Sequence, residues 1–388
     1  MTTWHIVTGE YPPAPGGVSD YTCAVAGGLA AAGDVVHVWC PAVPGVAAAN
    51  QTGVEVHAIT GGWTKAGIVR MNDALNAIPG PKKLLVQWVP HAFGRRSLNV
   101  GFCRWIRRRA AGGDIVDLMV HEPCLAFGEG SLRHHAAAAV HRLMLALLLR
   151  GARRVWIAIP AWAGRLEPWA FGRRDIRFCW LPVPATIPVA TANGAVSRFR
   201  ADVLARPDGI IIGHFSTYPP DVRRALSAIL PGLLAAVPEA QIQLLGRGSE
   251  AAAGQLRSEA GASASRILAS GELDAALLSC HLQACDLVAQ PYPDGASTRR
   301  TTLMAALAHG VPVVTTIGLL SEPFWESSGA VASVPAGDMA AMTRAVAELA
   351  REPAALRQLA SSARDVYDAR FGLPHVIEAL RADACGAE

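Results

Sequence analysis

Short apolar runs alternate with longer segments of helical pattern along most of the chain. Val35–Cys40 and Val54–Ile59 have the length of strands, whereas Asn99–Ala111 and Leu132–Leu149 have the length and apolar spacing of helices. This alternation indicates parallel sheets whose strands are joined by crossover helices. The other predicted strands are Trp4–Thr8, Leu84–Val89, Ile115–His121, Arg154–Ile159, Gly209–Phe215, Gln241–Leu245, Leu287–Gln290 and Val313–Thr316. The chain is therefore predicted to be an α/β protein.

The stretch Ala185–Pro207 has no clear periodicity and interrupts the alternation near the middle of the chain. A chain of 388 residues is too long for one ordinary core and suits two domains. We therefore predict a doubly wound, Rossmann-like domain over residues 1–185, a linker over 186–207 and a second such domain over 208–365. Open α/β sheets bind ligands beyond the carboxyl ends of their strands, so function is expected in the loops at strand ends.

Composition narrows the class of protein. Hydrophobic residues make up 51% and charged residues 17% of the chain, which fits a well-buried α/β protein and excludes disorder. A net charge of +4 is too small to indicate nucleic-acid binding. The eight cysteines form no C-x-x-C pair, which predicts free thiols rather than a metal site. The chain opens on a strand instead of a signal peptide, and its longest apolar stretch, Ala136–Leu149, is too short to span a bilayer, so a soluble cytoplasmic protein is expected.

A polar turn precedes the apolar helix pattern that ends at His309. Ser297 or Thr298 is predicted to cap this helix, whose first residues are Arg299 and Arg300. Unpaired N–H groups and the helix dipole attract phosphate to a helix N-terminus, and two cations in the first turn oppose that dipole unless an anion binds there. We therefore predict a phosphate site, with ion pairing to nearby acids or exposure to solvent as the alternatives.

Three further loops at predicted strand ends carry groups that suit a polar ligand. Gly16 and Gly17 precede the first helix, where glycine lets the backbone approach an anion or a sugar; a simple tight turn is the alternative. His121 ends a very apolar strand and suits hydrogen bonding or proton transfer, unless it is a satisfied core residue. Arg247 lies in a glycine turn that an ordinary loop would explain equally well.

A basic helix in the first half carries four arginines and a tryptophan: Arg104, Trp105, Arg107, Arg108 and Arg109. Such a helix suits an anionic membrane surface or an acidic acceptor, although a solvated helix face is the simpler interpretation. No G-x-G-x-x-G fingerprint follows a predicted strand, which counts against a dinucleotide oxidoreductase.

Taken together, these loops resemble the retaining glycosyltransferases of the GT-B fold, in particular the bacterial hexosyltransferases of family 4. The resemblance follows the family's order along nearly the whole chain, in the segments Tyr11–Val18, Val86–Gly94, His121–Pro123, Leu244–Gly248, Asp286–Tyr292, Leu303–Val314 and Tyr367–Phe371. It implies two Rossmann-like domains that face a cleft, with residues 366–388 forming a helix that packs back on the first domain.

The resemblance also implies the reaction. A hexose would move from a nucleotide-diphospho-sugar to a hydroxyl acceptor with retention, without a metal and without a cofactor. The acceptor would be a polysaccharide, a glycolipid precursor or a natural product, and peripheral membrane contact and oligomeric state stay open. His121 and Gly17 would take part in catalysis. The donor would be bound by Gly16, Gly17, Arg247, Ser297, Thr298, Arg299, Arg300 and Thr301.

The chain departs from the family at two acidic positions. The family's paired glutamates, with seven residues between them, fall on Ser297 and Ala305. The basic residues usual after the first strand of the second domain are also absent from Gly213–Tyr218. Arg299, Arg300 or Arg247 would then supply the positive charge. The alternative is a non-catalytic relative that binds nucleotide or glycan and supports a partner enzyme.

Overall fold

The structure is a computed structural model that describes residues 1–47, 49, 51–128, 130–191, 194–204, 206 and 209–382. It divides into two compact units. The first comprises Met1–Pro182 together with the C-terminal segment that begins at Leu373, and the second comprises Val183–Gly372.

The first unit is a seven-stranded parallel sheet with helices between its strands. Its strands are β1 (Thr3–Thr8), β2 (Val35–Pro41), β3 (Val54–Ile59), β4 (Lys83–Trp88), β5 (Ile115–Val120), β6 (Arg154–Ile157) and β7 (Arg177–Trp180). The helices are α1 (Gly17–Ala31), α2 (Lys65–Ala77), α3 (Val100–Ala111), α4 (Leu132–Gly151) and α5 (Ala161–Leu166). The strand order β3-β2-β1-β4-β5-β6-β7 reverses between β1 and β4, where Thr8 and Gln87 are in register. The loops after these two strands therefore meet at the switch point of the sheet.

The second unit is a six-stranded parallel sheet of the same kind. Its elements are α6 (Ala195–Val203), β8 (Ile210–Phe215), α7 (Pro220–Ala236), β9 (Ala240–Leu245), α8 (Ser249–Ala260), β10 (Ile267–Ala269), α9 (Ala275–Ala284), β11 (Leu287–Gln290), α10 (Thr301–Ala308), β12 (Val313–Ile317), α11 (Phe324–Ser327), β13 (Ala332–Pro335), α12 (Met339–Ala350) and α13 (Pro353–Arg370). The order β10-β9-β8-β11-β12-β13 reverses between β8 and β11. The loop that precedes Thr301 therefore begins at the switch point of this sheet.

The last described helix, α14 (Leu373–Arg381), belongs to the first unit and packs on α1. Gly28 makes this contact possible, because a Cβ at this position would lie 2.7 Å from the Cδ1 atom of Ile377. The Arg381 Nε atom donates to Asp34 Oδ2 over 3.0 Å, and this buried carboxylate also accepts from the Thr2 backbone N–H and the Trp4 indole. The contact thus combines apolar packing with an ion pair between a buried carboxylate and an exposed arginine.

The fold class predicted from the sequence is confirmed, since both units are parallel α/β sheets. Several elements escaped prediction, among them β7, β10, β13, α2 and α8, and the stretch read as aperiodic contains α6. Within the described residues, no helix combines the length and the apolar character needed to cross a bilayer.

Among the seven cysteines that the structure describes, six follow the prediction and one does not. Six are free thiols: Cys23, Cys40, Cys103, Cys124, Cys280 and Cys285. Cys179 is disulfide-bonded, so the prediction of free thiols is wrong at this position. The reason is that spatial neighbours of a cysteine cannot be deduced from its sequence spacing. Cys385 lies outside the described residues.

Candidate functional site

The loop after β11 is fixed to the neighbouring strands of the second sheet. The Gln290 side-chain amide donates to the Phe215 carbonyl at the end of β8 over 3.1 Å. On the other side, the β12 hydroxyls of Thr315 and Thr316 donate to the carbonyls of Gln290 and Tyr292 over 2.9 and 2.6 Å. Hydrogen bonds to both neighbouring strands therefore fix the start of this loop.

Arg299 and Arg300 both pair with one acid of the same loop. The Nη2 atoms of the two arginines contact the two carboxylate oxygens of Asp294. The Arg300 guanidinium also lies over the ring of Tyr292, 4.7 Å from its centroid. This is the ion pairing that the sequence left as an alternative. One carboxylate neutralises only one of the two guanidinium charges, so the three side chains together retain one net positive charge. An anion would still be attracted to them.

The start of α10 differs from the prediction. Thr298 donates through its backbone N–H (3.0 Å) and its hydroxyl (2.6 Å) to Glu322 Oε1, so its side chain is not available to cap the helix. The helix begins at Thr301, and its N-cap, Arg300, makes no side-chain capping bond. The predicted cap at Ser297 or Thr298 is therefore wrong.

Glu322 is a buried carboxylate that organises this turn. Besides the two bonds from Thr298, it accepts from the Trp325 indole N–H over 2.6 Å. Burial raises the pKa of Glu322 above its usual value, although the hydrogen bonds from Thr298 and Trp325 oppose that effect. Ser297 is equally buried, and its hydroxyl has no hydrogen-bond partner among the residues that the structure describes. Such an orphan hydroxyl is available to a ligand group that reaches it.

The glycine turn around Arg247 has a structural explanation. Gly246 has a φ of 99°, and a Cβ there would lie 2.6 Å from the Ser216 carbonyl oxygen, so only glycine fits against the loop after β8. Arg247 itself is half exposed, and its Nε atom lies 3.9 Å from Glu272 Oε1, at the outer limit of an ion pair. Because β8 lies between β9 and β11, the Arg247 turn is two strands away from the loop after β11 that contains Asp294.

In the first unit, a carboxylate occupies the N-terminus of α1. Glu10 Oε1 accepts from the Ser19 backbone N–H over 3.2 Å, and a Cβ on Gly16 would lie 2.2 Å from the same oxygen. A negative charge is favourable at this helix terminus. At Gly17, by contrast, a Cβ would meet no atom within 4 Å, so the backbone there is open to approach.

His121 is held as a buried, neutral imidazole. Its Nε2 atom lies 2.9 Å from Gln87 Oε1 on β4, and the edge of the Tyr21 ring packs against it with centroids 4.8 Å apart. Burial lowers the pKa of His121 to about 3, so the ring stays uncharged at neutral pH. The Tyr21 hydroxyl and the Gln87 amide nitrogen are buried without a hydrogen-bond partner in the described part of the chain. The side chains around His121 thus offer uncharged hydrogen-bonding groups, which suit a ligand rich in hydroxyl groups.

The basic helix α3 lines a surface groove of about 900 Å³ that it shares with α2. Trp105 is buried and donates its indole N–H to Asn72 Oδ1 over 3.0 Å, while the Arg109 Nε atom pairs with Asp114 at 2.5 Å. Arg104, Arg107 and Arg108 are exposed. The tryptophan therefore serves the packing of α3 and is not presented to a membrane or to solvent.

Sequence reasoning missed the acids and the amide that organise these loops, Glu10, Gln87 and Glu322, and it left the ion-pair partner of the two arginines unnamed. Asp294 could have been found, since it lies five and six residues before the two arginines. Glu322 gave a weaker signal, as one of two acids, with Glu326, in the segment that follows β12.

Comparison with known proteins supports this picture. Residues 206–352 match the family model described as glycosyl transferases group 1. A phosphatidyl-myo-inositol mannosyltransferase of Mycobacterium leprae (strain TN) is 25% identical over 358 residues, which cover 87% of this chain and 84% of that protein. The resemblance to family 4-like GT-B glycosyltransferases is confirmed.

Solved structures show the same fold. The sucrose-phosphate synthase tll1590 of Thermosynechococcus elongatus superposes with a TM-score of 0.72 at 15% identity, over 98% of this chain and 97% of that one. Alr3699/HepE of Anabaena, solved with UDP and glucose, gives a TM-score of 0.67 at 14% identity, over 98% of both chains. At such low identity these neighbours establish the GT-B fold. Ser297 and Ala305, which occupy the positions of the family's paired glutamates, are both wholly buried.

Proposed function

We propose that this protein is a retaining glycosyltransferase that moves a hexose from a nucleotide-diphospho-sugar to a hydroxyl acceptor. The observation that carries the proposal is the switch-point loop of the second unit, in which Arg299 and Arg300 retain one net positive charge after pairing with Asp294. Ligands of open α/β sheets bind at such points, and a diphosphate is the anionic group that a guanidinium pair suits best. The Anabaena neighbour solved with UDP and glucose carries the same fold.

The proposed roles divide between the units. Arg299, Arg300 and the N–H groups that open α10 at Thr301 would hold the diphosphate, with the Ser297 hydroxyl and the Thr298 turn behind them and Arg247 further out. Gly16 and Gly17 would approach the donor through their backbone, and His121 would hydrogen-bond the transferred sugar. Because burial lowers the pKa of His121 to about 3, that contact is made by a neutral ring.

Retention would follow from attack on the face that the leaving group departs from, with the leaving phosphate helping to deprotonate the acceptor hydroxyl. Such a reaction needs positioned donors around the diphosphate more than a protein nucleophile. The loss of the paired glutamates at Ser297 and Ala305 is compatible with this chemistry, since it removes contacts to the sugar and the ribose and leaves the cationic loop in place.

Metal independence, a cytoplasmic location and contact with a membrane surface are further parts of the proposal. The acceptor would be a polysaccharide, a glycolipid precursor or a natural product. The relative named as a phosphatidyl-myo-inositol mannosyltransferase favours the glycolipid precursor among these. The exposed arginines of α3, Arg104, Arg107 and Arg108, suit an acceptor that carries phosphate.

A panel of nucleotides and nucleotide sugars tests the donor site. We expect one of UDP, GDP, ADP or TDP, and its sugar, to raise the unfolding temperature of the chain, since a ligand that binds only the folded state stabilises it. NAD serves as the negative control. No shift with any member of the panel would contradict the donor-site assignment.

A turnover assay then distinguishes the enzyme from the alternative, a non-catalytic relative. The replacement of both glutamates favours that alternative. Transfer or hydrolysis of a radiolabelled donor, with the anomeric configuration of the product read by NMR, supports the retaining enzyme. Binding without release of labelled sugar, across several acceptor classes, would establish the non-catalytic relative instead.

A further inference from the structure

Three side chains with metal-ligating atoms converge on strands β2 and β3, at the end of the first sheet opposite β7. His37 is in register with Glu55, and Glu55 and His57 are two residues apart on β3. Residues at this spacing project from the same face of a sheet, so the three side chains lie on one face. None of them takes part in the switch-point loops described above.

The ligand groups of the three residues lie close together. His37 Nδ1 lies 3.0 Å from His57 Nε2, and the Glu55 carboxylate lies beside both nitrogens, with Oε2 3.2 Å from His37 Nδ1 and Oε1 3.5 Å from His57 Nε2. Each imidazole directs a single nitrogen at both of its neighbours. A tetrahedral ion with ligand bonds of about 2.0–2.1 Å keeps its ligand atoms about 3.3 Å apart. The three groups are therefore spaced closely enough to share one ion.

Neighbouring rings hold the two imidazoles in place. The Trp39 ring stacks on His57 with centroids 3.9 Å apart, and His5 stacks on His37 at 4.9 Å. The Trp39 indole donates to His5 Nδ1 over 3.3 Å, which orients the His5 ring.

The remaining coordination position is open. The His37 and His57 side chains are only 10% and 21% exposed, whereas that of Glu55 is 65% exposed. Water can therefore reach an ion on the carboxylate side. Two imidazoles and one carboxylate with an open fourth position suit zinc and similar transition metals, and not Mg²⁺ or Ca²⁺, which prefer oxygen ligands.

We propose that His37, Glu55 and His57 bind a divalent transition-metal ion of the zinc class, with water as the fourth ligand. The ion would join β3 to β2 and so stabilise the first unit, independently of the transfer reaction proposed above. Without an ion, the same geometry is a hydrogen bond between the two imidazoles with a carboxylate beside them. Metal titration distinguishes these two states.

The test uses the full chain without a histidine tag, stripped of metal by a chelator. We expect it to bind one Co²⁺ per chain with the intense visible absorption of a four-coordinate site, and to unfold at a higher temperature in the presence of Zn²⁺. Glu55→Gln and His57→Gln are each expected to lower Co²⁺ affinity at least about tenfold, because even partners outside the coordination sphere typically matter that much.

His135→Gln is the matched control, since this partly exposed histidine of the first unit adjoins His134 and could bind metal adventitiously. It should leave the Co²⁺ spectrum and affinity unchanged. The proposal is overturned by Co²⁺ binding weaker than about 1 mM, by equal affinity in all variants, or by loss of binding in His135→Gln alone. Because Glu55 is largely exposed, Glu55→Gln is expected to fold normally, and its circular dichroism spectrum verifies this.

Discussion

The switch-point loops of the two sheets are built alike but treat charge differently. In the first unit, Glu10 supplies a carboxylate to the N-terminus of α1, and the nearby His121 is neutral. In the second, Arg299 and Arg300 share the single carboxylate of Asp294. In both loops an internal acid lies where the sequence predicted an anionic ligand. The difference is that the second loop keeps a surplus of positive charge and the first does not. This difference supports the proposal that the diphosphate binds to the second loop and that uncharged hydroxyl groups bind near the first.

The largest expected effect is on the free energy of unfolding, and it concerns the acid that each loop depends on, Glu322 in the second unit and Glu10 in the first. Glu322→Ala should lower the free energy of unfolding by about 3 kcal/mol, since it leaves three buried donor groups, two on Thr298 and one on Trp325, without an acceptor. Glu10→Ala removes one contact of a partly exposed acid and should cost less than about 1 kcal/mol. Urea unfolding of both variants measures the contrast, and similar losses for the two would show that the loops are held equally.

The second expectation concerns the buried histidines, one in each unit. Burial lowers the pKa of His121 to about 3 and that of His214 to about 4. Their folded pKa values lie below the unfolded value near 6.5, so the unfolded state takes up protons first and stability falls as pH falls below 6.5. Each histidine should contribute roughly 1.4 kcal/mol per pH unit down to about pH 4.

Urea unfolding between pH 7 and 5 tests this expectation. His121→Gln should reduce the pH dependence of the first unit's transition and leave that of the second unit unchanged. His135→Gln, at a partly exposed position, should not alter either slope. A slope unaffected by His121→Gln would mean that this ring is protonated in the folded protein.

The third expectation tests the surplus charge itself. Arg300→Ala should weaken nucleoside diphosphate binding about tenfold, or 1.4 kcal/mol, because it removes a charged donor. Asp294→Asn should strengthen it by a similar factor at low salt, because it removes the competing carboxylate. Calorimetry with the nucleotide identified in the panel measures both. Arg224→Ala, at an exposed arginine on α7, is the control. Unchanged affinity in both loop variants would remove the diphosphate from this loop.

The smallest expected effect sharpens the description of the first loop. Gly17→Ala should change the free energy of unfolding by less than about 0.5 kcal/mol, since no atom lies within 4 Å of the added methyl group. Gly16→Ala must displace the Glu10 side chain and is the comparison variant. If Gly17→Ala reduces transfer while stability is unchanged, the methyl group interferes with ligand binding and not with folding. Normal transfer by Gly17→Ala would show that the donor does not approach this backbone.

The sequence predicted the fold better than the site. The fully buried strand Leu287–Gln290 was predicted with its correct bounds, and so was the edge strand Val54–Ile59, which is mostly exposed or partly exposed. Short strands such as β7 and β13 lack a buried apolar run, because three of the four residues of β7 and all four of β13 are exposed or partly exposed. The local pattern therefore could not identify them.

The site depends on contacts between distant parts of the chain. Thr298 looked like a helix cap because its local neighbours allow it, but it binds Glu322, which lies 24 residues further along. Likewise, the meeting of His37 with His57 depends on the register of β2 and β3, which no pattern within either strand specifies. The sequence identified which side chains could take part in the site, but it did not identify the distant residues that they contact.

The return of α14 to the first unit has a consequence for how the protein is made. During synthesis, the second unit emerges from the ribosome as one continuous segment, while the first lacks the helix α14 until the second has been translated. Until then, Asp34 has no Arg381 and the surface of α1 around Gly28 is uncovered. The unit whose synthesis begins first is thus completed only after the other unit has been made.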